Sequence, residues 1–268
     1  MATPERASRL TDCLRRDLVL DAGLGARLLA AGLDPTGDDP CLWSLDHPDA
    51  VHALHEADRA AGAVVLTTNT FNANAHWLAR FHRQADVPLL NRAAVQLARL
   101  AADPETLIVG SIGPTAAGHP HALRSQAEVL LDAGVDALLL ETFQPDQALA
   151  ALAALGPLQG PVLVTLISPP PESKLAGLID AGPAGLGANC VPIETAGRIL
   201  ASIRARYSGL LVARPGQLPD QPIPDPLRWA KQLRDALPPG PAWVGGCCGI
   251  GPTQLSALAA TIPQRRPF

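Results

Sequence analysis

The chain has 268 residues, of which 47% are hydrophobic and 17% charged, and its formal net charge is −4. This composition excludes an intrinsically disordered chain, and the lack of any basic run argues against nucleic-acid binding. The N-terminal stretch MATPERASRLTD is polar and no long apolar run follows, so we expect neither a signal peptide nor a membrane span.

Short apolar runs recur along the chain, and each has the length of a β-strand. They lie at 17–21, 63–68, 106–111, 135–142, 161–166, 184–190, 209–214 and 241–246. Most of these runs are continuously apolar instead of alternating between apolar and polar residues. That pattern is typical of strands that are buried on both faces of a parallel sheet.

Helical patterns separate most of these runs, at 47–62, 91–103, 119–134, 145–156, 193–207, 225–237 and 253–261. The proline-rich segments 169–173 and 215–226 are predicted to be loops. Repeated strand–helix units predict an α/β fold, a single (β/α)8 TIM barrel over residues 1–268. A doubly wound open sheet is the rival fold, but DAGLGARL after the first strand lacks the G-x-G-x-x-G spacing of a dinucleotide site.

Polar residues follow the predicted strands, at the end of the barrel where such folds carry their active sites. They are Asp21, Thr67 to Asn72, Ser111, Glu141 with Thr142, Asn189 with Cys190, and Cys247 with Cys248. For several of them a structural role is the alternative. Asp21 could cap the following helix, Glu141 could form a salt bridge at the rim, and Asn69 and Thr70 could be turn formers.

The chain contains five cysteines, an odd number in a sequence far longer than a disulfide-stapled mini-domain. We therefore expect reduced thiols and a cytoplasmic location. Cys13 and Cys41 are interpreted as packing residues of the core. Cys190 ends the sixth run, and Cys247 and Cys248 follow the eighth, so these three are predicted to meet at one rim of the barrel.

Adjacent side chains of a regular strand point to opposite faces, so Cys247 and Cys248 could not face one point from such a strand. Flanking glycines permit a turn at this place, namely Gly245, Gly246 and Gly249. Three thiolates suit zinc, and three protein ligands leave its fourth position open, as in catalytic sites. The alternatives are chance placement, a vicinal disulfide, and a structural zinc site, which usually takes four protein ligands.

The seven histidines form no H-x-x-x-H ligand pair with other chemistry attached. His52 and His55 lie on a helix that is expected outside the barrel. We interpret them as surface or packing residues.

Two motifs together, GANC (187–190) and GGCCG (245–249), resemble the zinc motifs of the homocysteine S-methyltransferase family. Four further segments match in order, namely LDAGLGARL (20–28), TTNTF (67–71), GSIGP (110–114) and LLLET (138–142). The resemblance implies a β/α barrel in which Cys190, Cys247 and Cys248 hold Zn²⁺. It also implies methyl transfer to the thiol of homocysteine, which forms methionine.

The resemblance further implies that Asp21 and Glu141 surround the amino group of the substrate. Main-chain amides near Gly23 and Ser111 would meet its carboxylate.

Two departures from the family bear on the site. Several relatives carry an asparagine after the seventh strand that can fill the fourth zinc position, whereas this chain reads Arg214-Pro215-Gly216-Gln217. Gln217 and water are therefore the candidates for that position. Thr142 stands where the betaine enzymes carry a tyrosine, which favours S-methylmethionine or S-adenosylmethionine over betaine as the methyl donor.

Two other functions stay open at this stage. The barrel could bind homocysteine and accept a methyl group only from a separate corrinoid or folate module. It could also be a zinc–thiolate barrel without catalytic turnover.

Overall fold

The computed structural model describes residues 4–115, 119–217 and 221–262, so positions 218–220 of the predicted loop 215–226 lie outside the described residues. Eight parallel strands form one sheet in the order β1-β8-β7-β6-β5-β4-β3-β2. They are β1 (Leu18–Val19), β2 (Val65–Thr67), β3 (Leu107–Ile112), β4 (Ala137–Phe143), β5 (Val162–Leu166), β6 (Gly185–Asn189), β7 (Leu210–Arg214) and β8 (Ala242–Val244).

The sheet closes on itself between its first two strands. Strand β1 pairs with β8 on one side, where Leu18 lies opposite Trp243. On the other side Leu20 forms a parallel bridge with Val65, and the Asp21 amide donates to the Val65 carbonyl at 3.0 Å. The predicted (β/α)8 barrel is therefore confirmed.

Twelve α-helices are described around these strands. They are α1 (Pro4–Cys13), α2 (Leu24–Ala30), α3 (Trp43–Asp46), α4 (Pro48–Ala60), α5 (Ala75–Leu78), α6 (Val87–Ala101), α7 (Pro120–Asp132), α8 (Pro145–Leu155), α9 (Glu172–Asp180), α10 (Ile193–Arg204), α11 (Pro226–Ala236) and α12 (Pro252–Ala259). Several begin with proline, whose missing N–H is not needed in the first helical turn. Each of the eight strands is followed by at least one helix, as a barrel requires.

Several helices were not predicted from the sequence, namely α1, α2, α3, α5 and α9. Helix α9 begins inside the segment 169–173 that was predicted to be a loop, because Pro171 takes the N-cap position and Glu172 starts the helix. Helix α1 was not predicted, and it lies against the barrel, where the Trp243 indole donates to the Cys13 carbonyl at 3.1 Å. In both places proline marks the beginning of a helix and not a loop.

The apolar residues of each strand divide between two cores. Leu107, Val109, Leu139 and Val212 belong to the cluster inside the barrel. Their strand neighbours belong to a second cluster between the sheet and the helices, for example Ile108, Leu138, Leu140 and Leu211. Burial on both faces is the physical reason for the continuously apolar runs. Among the described residues, no helix combines the length and the apolar character that crossing a bilayer requires.

Candidate metal centre

A cavity of about 370 Å³ opens at the C-terminal ends of the strands. Its walls come from the C-terminal ends of seven of the strands and from the loops that follow them. The polar and sulfur-bearing residues among them include Asp39, Cys41, Thr67, Thr68, Asn69, Thr70, Asn72, Ser111, Glu141, Thr142, Cys190, Arg214, Cys247 and Cys248. The parallel arrangement of the strands therefore brings residues that are distant in sequence to one place.

Three cysteine sulfurs meet at this cavity. The Sγ atoms of Cys190, Cys247 and Cys248 all lie within 4.8 Å of one another, and those of Cys247 and Cys248 are 3.9 Å apart. Cys247 is buried, whereas Cys190 and Cys248 are exposed, and none of the three is in a disulfide. The vicinal disulfide is therefore not formed, and the cluster could hold a metal ion.

The turn that carries Cys247 and Cys248 depends on glycine in two different ways. Gly249 has φ of +74°, a left-handed conformation that glycine adopts without strain. Gly245 is needed for space instead, because a Cβ atom there would lie 2.5 Å from the Asp21 carbonyl oxygen. The Cys247 amide donates to the Pro215 carbonyl at 2.9 Å, which ties the turn to the end of β7.

Cys190 is presented by a strained backbone. It has φ of +56°, and Thr142 at the end of β4 has φ of +70°. Left-handed conformations cost a non-glycine residue about 1–2 kcal/mol, and such strain is concentrated at functional sites. The Cys190 amide donates to the Arg214 carbonyl at 3.1 Å, which holds the conformation in place.

Asn189 joins the ends of β4 and β6. Its Oδ1 accepts from the Thr142 amide at 2.8 Å, and its Nδ2 donates to Thr142 Oγ1 at 2.8 Å and to Glu141 Oε2 at 3.2 Å. The sequence placed Asn189 at a strand end but assigned it no role. Its position directly before Cys190 was the available signal.

The clustered thiols share protons. Hydrogen bonds from Cys190 and then from Cys247 lower the pKa of Cys248 to about 3. Hydrogen bonds with Cys247 and then with Cys248 raise the pKa of Cys190. The cluster therefore titrates as a unit, and a cation that enters it displaces protons.

Asp21 is fully buried beneath the cavity and does not line it. Its side chain is 0% exposed, and Oδ1 accepts from Arg214 Nη2 at 2.9 Å. Its Oδ2 accepts from the Thr67 amide at 2.6 Å and from the Thr67 hydroxyl at 2.8 Å. Burial raises the pKa of Asp21 to about 7, against the lowering effect of Arg214. Asp21 thus contacts the chain's own cation, and Arg214 lies between it and the cavity.

Glu141 does face the cavity, and it is 8% exposed. Its Oε2 accepts from Arg214 Nη1 at 3.1 Å, and its Oε1 is hydrogen-bonded to the Ser111 hydroxyl. The amide of Ser111 is engaged elsewhere, since it donates to Thr68 Oγ1 at 3.1 Å. Ser111 therefore offers its side chain to this site, whereas the expectation concerned its main-chain amide.

Gly23 lines the cavity and allows two backbone segments to approach closely. A Cβ atom at this position would lie 2.9 Å from the carbonyl carbon of Cys247. Arg27 and Asp58 hold the backbone before Gly23 in place. Arg27 Nη1 donates to Asp58 Oδ1 at 2.8 Å, and Arg27 Nη2 donates to the Ala22 carbonyl at 3.3 Å. Asp58 in turn accepts from the Ala22 amide at 3.3 Å.

Asp39 is a second carboxylate in the cavity wall. It accepts from neutral groups, namely the Cys41 amide at 3.0 Å, Asn72 Nδ2 at 2.8 Å and Trp77 Nε1 at 2.7 Å. Within the described ranges no ion pair involves Asp39. The sequence missed this residue, because an Asp-Pro step before a short helical turn is also the ordinary signal of a cap.

The remaining candidates have structural contacts. Asn69 Nδ2 donates to Ser44 Oγ at 3.1 Å, and Thr70 Oγ1 donates to the Ser111 carbonyl at 2.7 Å, so both order the loop after β2. Gln217 Nε2 donates to Gln221 Oε1 at 2.6 Å, and Gln217 is not part of the cavity wall. The Gln217 side chain is thus engaged with Gln221, while the Gln217 amide donates to the Cys248 carbonyl at 2.7 Å.

Comparison with known proteins agrees with the family resemblance of the cysteine motifs. A sequence model of the family described as Homocysteine S-methyltransferase matches residues 18–262. Betaine--homocysteine S-methyltransferase 1 of Mus musculus is 28% identical over 272 residues, which cover 84% of this chain and 67% of that protein. S-methylmethionine--homocysteine S-methyltransferase BHMT2 of Pongo abelii is 28% identical over 274 residues, which cover 85% of this chain and 74% of that protein.

A solved structure has the same fold. It is the metallated form of the homocysteine methyltransferase MmuM from Escherichia coli, with a TM-score of 0.74 and 24% sequence identity. The superposition covers 95% of this chain and 99% of the other.

Proposed function

Because the chain belongs to the homocysteine S-methyltransferase family, we propose that it transfers a methyl group from a sulfonium donor to the thiol of homocysteine. One observation carries this proposal. The sulfurs of Cys190, Cys247 and Cys248 lie within 4.8 Å of one another at the wall of a cavity large enough for a small molecule. Methionine is the product of this reaction.

The three sulfurs suit Zn²⁺, which prefers soft ligands and tetrahedral geometry. Three protein ligands with an open side toward the cavity correspond to a catalytic arrangement and not to a structural one. When zinc is bound, it favours the thiolate form of a thiol that coordinates it, which makes the sulfur nucleophilic at neutral pH. The unbonded thiols also fit the reducing, cytoplasmic location that we propose.

The chain's own residues position the acceptor. Glu141 and the Ser111 hydroxyl face the cavity beside the cysteine cluster, and Gly23 lines it next to the backbone of Cys247. Asp21 contributes from below by holding Arg214. We propose that the amino-acid end of homocysteine lies against this floor, since fixing a nucleophile at its target lowers the barrier by several kcal/mol.

The transfer step balances without a general acid. A lone pair of the acceptor sulfur forms the new S–CH₃ bond, and the donor C–S bond breaks with its electrons remaining on the donor sulfur. The donor departs as a neutral thioether, and the acceptor proton has already passed to solvent. No histidine stands among the described residues that line the cavity, which is consistent with a step that needs no proton donor.

One residue favours a cationic donor, and a second disfavours betaine among such donors. The Asp39 carboxylate faces the cavity and is held by neutral donors, so its charge attracts a cation. Thr142 stands where the betaine enzymes carry a tyrosine, so the cavity lacks that aromatic residue. S-methylmethionine and S-adenosylmethionine are the sulfonium donors that we favour.

A donor screen tests the proposal. The full chain is purified under reducing conditions, its zinc content is measured, and homocysteine is incubated with each donor without any second protein. We expect about one zinc per chain and methionine as product. Full activity in zinc-free protein would overturn the proposal. A homocysteine complex without turnover would support the alternative in which a corrinoid or folate module supplies the methyl group.

A further inference from the structure

The floor of the cavity carries its own cation. Arg214 lies between Asp21 and Glu141, with its Nη2 2.9 Å from Asp21 Oδ1 and its Nη1 3.1 Å from Glu141 Oε2. The arginine is 2% exposed. A guanidinium buried in this way cannot move into water without leaving two buried carboxylates unpaired, so it stays in place when a ligand arrives.

A ligand in the cavity can reach only two of the three residues Asp21, Arg214 and Glu141. Asp21 is not part of the cavity wall, and both of its oxygens are occupied by Arg214 and Thr67. Glu141 and Arg214 do line the cavity. The part of the floor that faces the cavity therefore presents one negative and one positive group side by side before any substrate binds.

A substrate ammonium gains little at such a floor. If it approaches Glu141 within hydrogen-bond distance, it also meets the Arg214 guanidinium, which donates to the same carboxylate at 3.1 Å, and the repulsion offsets part of the attraction. Arg214 is part of the folded chain and is already held between its two partners, whereas a free ammonium loses translational entropy on binding. Arg214 therefore stays paired with the two carboxylates in preference to a substrate ammonium.

We infer that Arg214 determines acceptor specificity. It occupies the position between Asp21 and Glu141 that an ammonium could otherwise take, so the thiol acceptor needs no α-ammonium. The acceptor class then includes thiols of the length of homocysteine that lack the amino group, such as 4-sulfanylbutanoate. This inference rests on the proposed function and narrows its substrate class.

The bond changes are the same for both acceptors. The sulfur of 4-sulfanylbutanoate forms the S–CH₃ bond, the donor C–S bond breaks, and its electron pair stays on the donor sulfur. The products are 4-(methylsulfanyl)butanoate and a neutral thioether, and the thiol proton passes to solvent. No further reactant is needed.

The test compares homocysteine with 4-sulfanylbutanoate on the zinc-loaded full chain. Binding is measured by calorimetry, and turnover by mass spectrometry of the methylated product with a sulfonium donor. A charge-assisted hydrogen bond to an ammonium is ordinarily worth about tenfold to a hundredfold in affinity. We expect Kd and kcat/KM for the two thiols to agree within about threefold, well below that range. A preference for homocysteine of about a hundredfold would overturn the inference.

Two substitutions of Arg214 provide matched variants. Arg214→Gln keeps a hydrogen-bonding side chain but removes the charge, so the preference for homocysteine should rise at least about tenfold. Arg214→Lys keeps the charge and should keep the two thiols equivalent. The same ratio in Arg214→Gln and in the unchanged chain would contradict the inference. If Arg214→Gln does not fold, the comparison on the unchanged chain still decides.

The two proposals fail differently. If homocysteine is methylated and 4-sulfanylbutanoate neither binds nor reacts, the inference about Arg214 is wrong and the proposed function stands. If both thiols bind equally and neither is methylated, the proposed function is wrong and the inference stands. If neither thiol binds, both are wrong.

Discussion

Asp21 and Arg214 form a buried ion pair across the mouth of the barrel, with Arg214 Nη2 2.9 Å from Asp21 Oδ1. The two residues are 193 positions apart in the sequence. They meet because β1 and β7 both flank β8, and parallel strands end at the same side of a barrel. Asp21 supports the cavity floor from beneath, and Arg214 is the member of the pair that lines the cavity.

Replacing Asp21 by Asn should destabilise the protein and leave its zinc in place. The substitution leaves Arg214 with Glu141 as its one carboxylate partner, and breaking a buried ion pair costs about 3–5 kcal/mol. The backbone contact from the Gly246 amide to the Asp21 carbonyl remains, so the cysteine turn keeps its support. Urea denaturation and metal analysis measure the two effects.

Asp103→Asn is the matched control for this variant. It removes the exposed Asp103–Arg59 pair, whose N–O distance is 3.5 Å, and should cost less than about 1 kcal/mol. Loss of zinc from Asp21→Asn would show that Asp21 supports the metal site and not only the cavity floor.

Cys247→Ser should lose zinc and activity together. Cys247 is the buried member of the three-sulfur cluster, and serine offers a harder and less acidic ligand atom in its place. We expect activity to fall at least about a hundredfold, because zinc held by these cysteines would favour the thiolate form of the acceptor, which is the nucleophile in the proposed reaction. Zinc content is measured by elemental analysis after gel filtration.

Cys13→Ser is the control, since Cys13 is buried on the opposite side of the barrel, against Trp243. It should retain zinc. A Cys247→Ser protein that keeps both its zinc and its methyl transfer would contradict the assigned ligand set.

Asp39→Asn should weaken the use of a sulfonium donor specifically. The change keeps the size of the side chain and one of its two acceptor oxygens, and it removes the negative charge from the cavity wall. We expect the KM for S-methylmethionine to rise about tenfold, as for the loss of one charge-assisted contact. The KM for homocysteine should change little, which separates the donor side of the cavity from the acceptor side.

Asp38→Asn tests whether any nearby carboxylate has this effect. Asp38 accepts from the Trp43 indole at 2.6 Å and is not part of the cavity wall. Its substitution should leave the donor KM near that of the unchanged chain. Equal effects of the two substitutions would refute a specific role for Asp39.

His55 should make the fold sensitive to acid. Both ring nitrogens are buried without a hydrogen-bond partner among the described residues, and burial lowers the pKa of His55 to about 3. The unfolded chain takes up this proton near pH 6.5, whereas the folded chain does so only near pH 3. The contribution to stability is therefore complete above pH 6.5 and is lost as the pH falls toward 3, with a limiting slope of about 1.4 kcal/mol per pH unit.

Urea denaturation of metal-free protein at pH values from about 7 down to about 4 measures this slope. His55→Leu should flatten the dependence, because an apolar side chain suits the buried position and binds no proton. His52→Leu, one turn earlier on α4 and partly exposed, should leave the slope unchanged. An unaltered slope in His55→Leu would assign the acid sensitivity to other groups.

The sequence alone was sufficient for the fold and for the cysteine cluster. Strands such as β3 and β7 are apolar at almost every position, and burial on both faces of a parallel sheet is the arrangement that suits such runs. Cys190 and the Cys247–Cys248 pair stand directly after strands, so the barrel topology brings them to one rim. These are local patterns, and local patterns can be read in a single sequence.

Tertiary structure alone decided which polar groups satisfy one another. Arg214 ends an apolar run and carries no motif, yet it is the shared partner of Asp21 and Glu141. Asp39 similarly reads as a helix cap, and only the folded chain places its carboxylate in the cavity wall. The physical reason is that pairing of charges depends on distances between side chains from different strands, and those distances are set by the closure of the barrel.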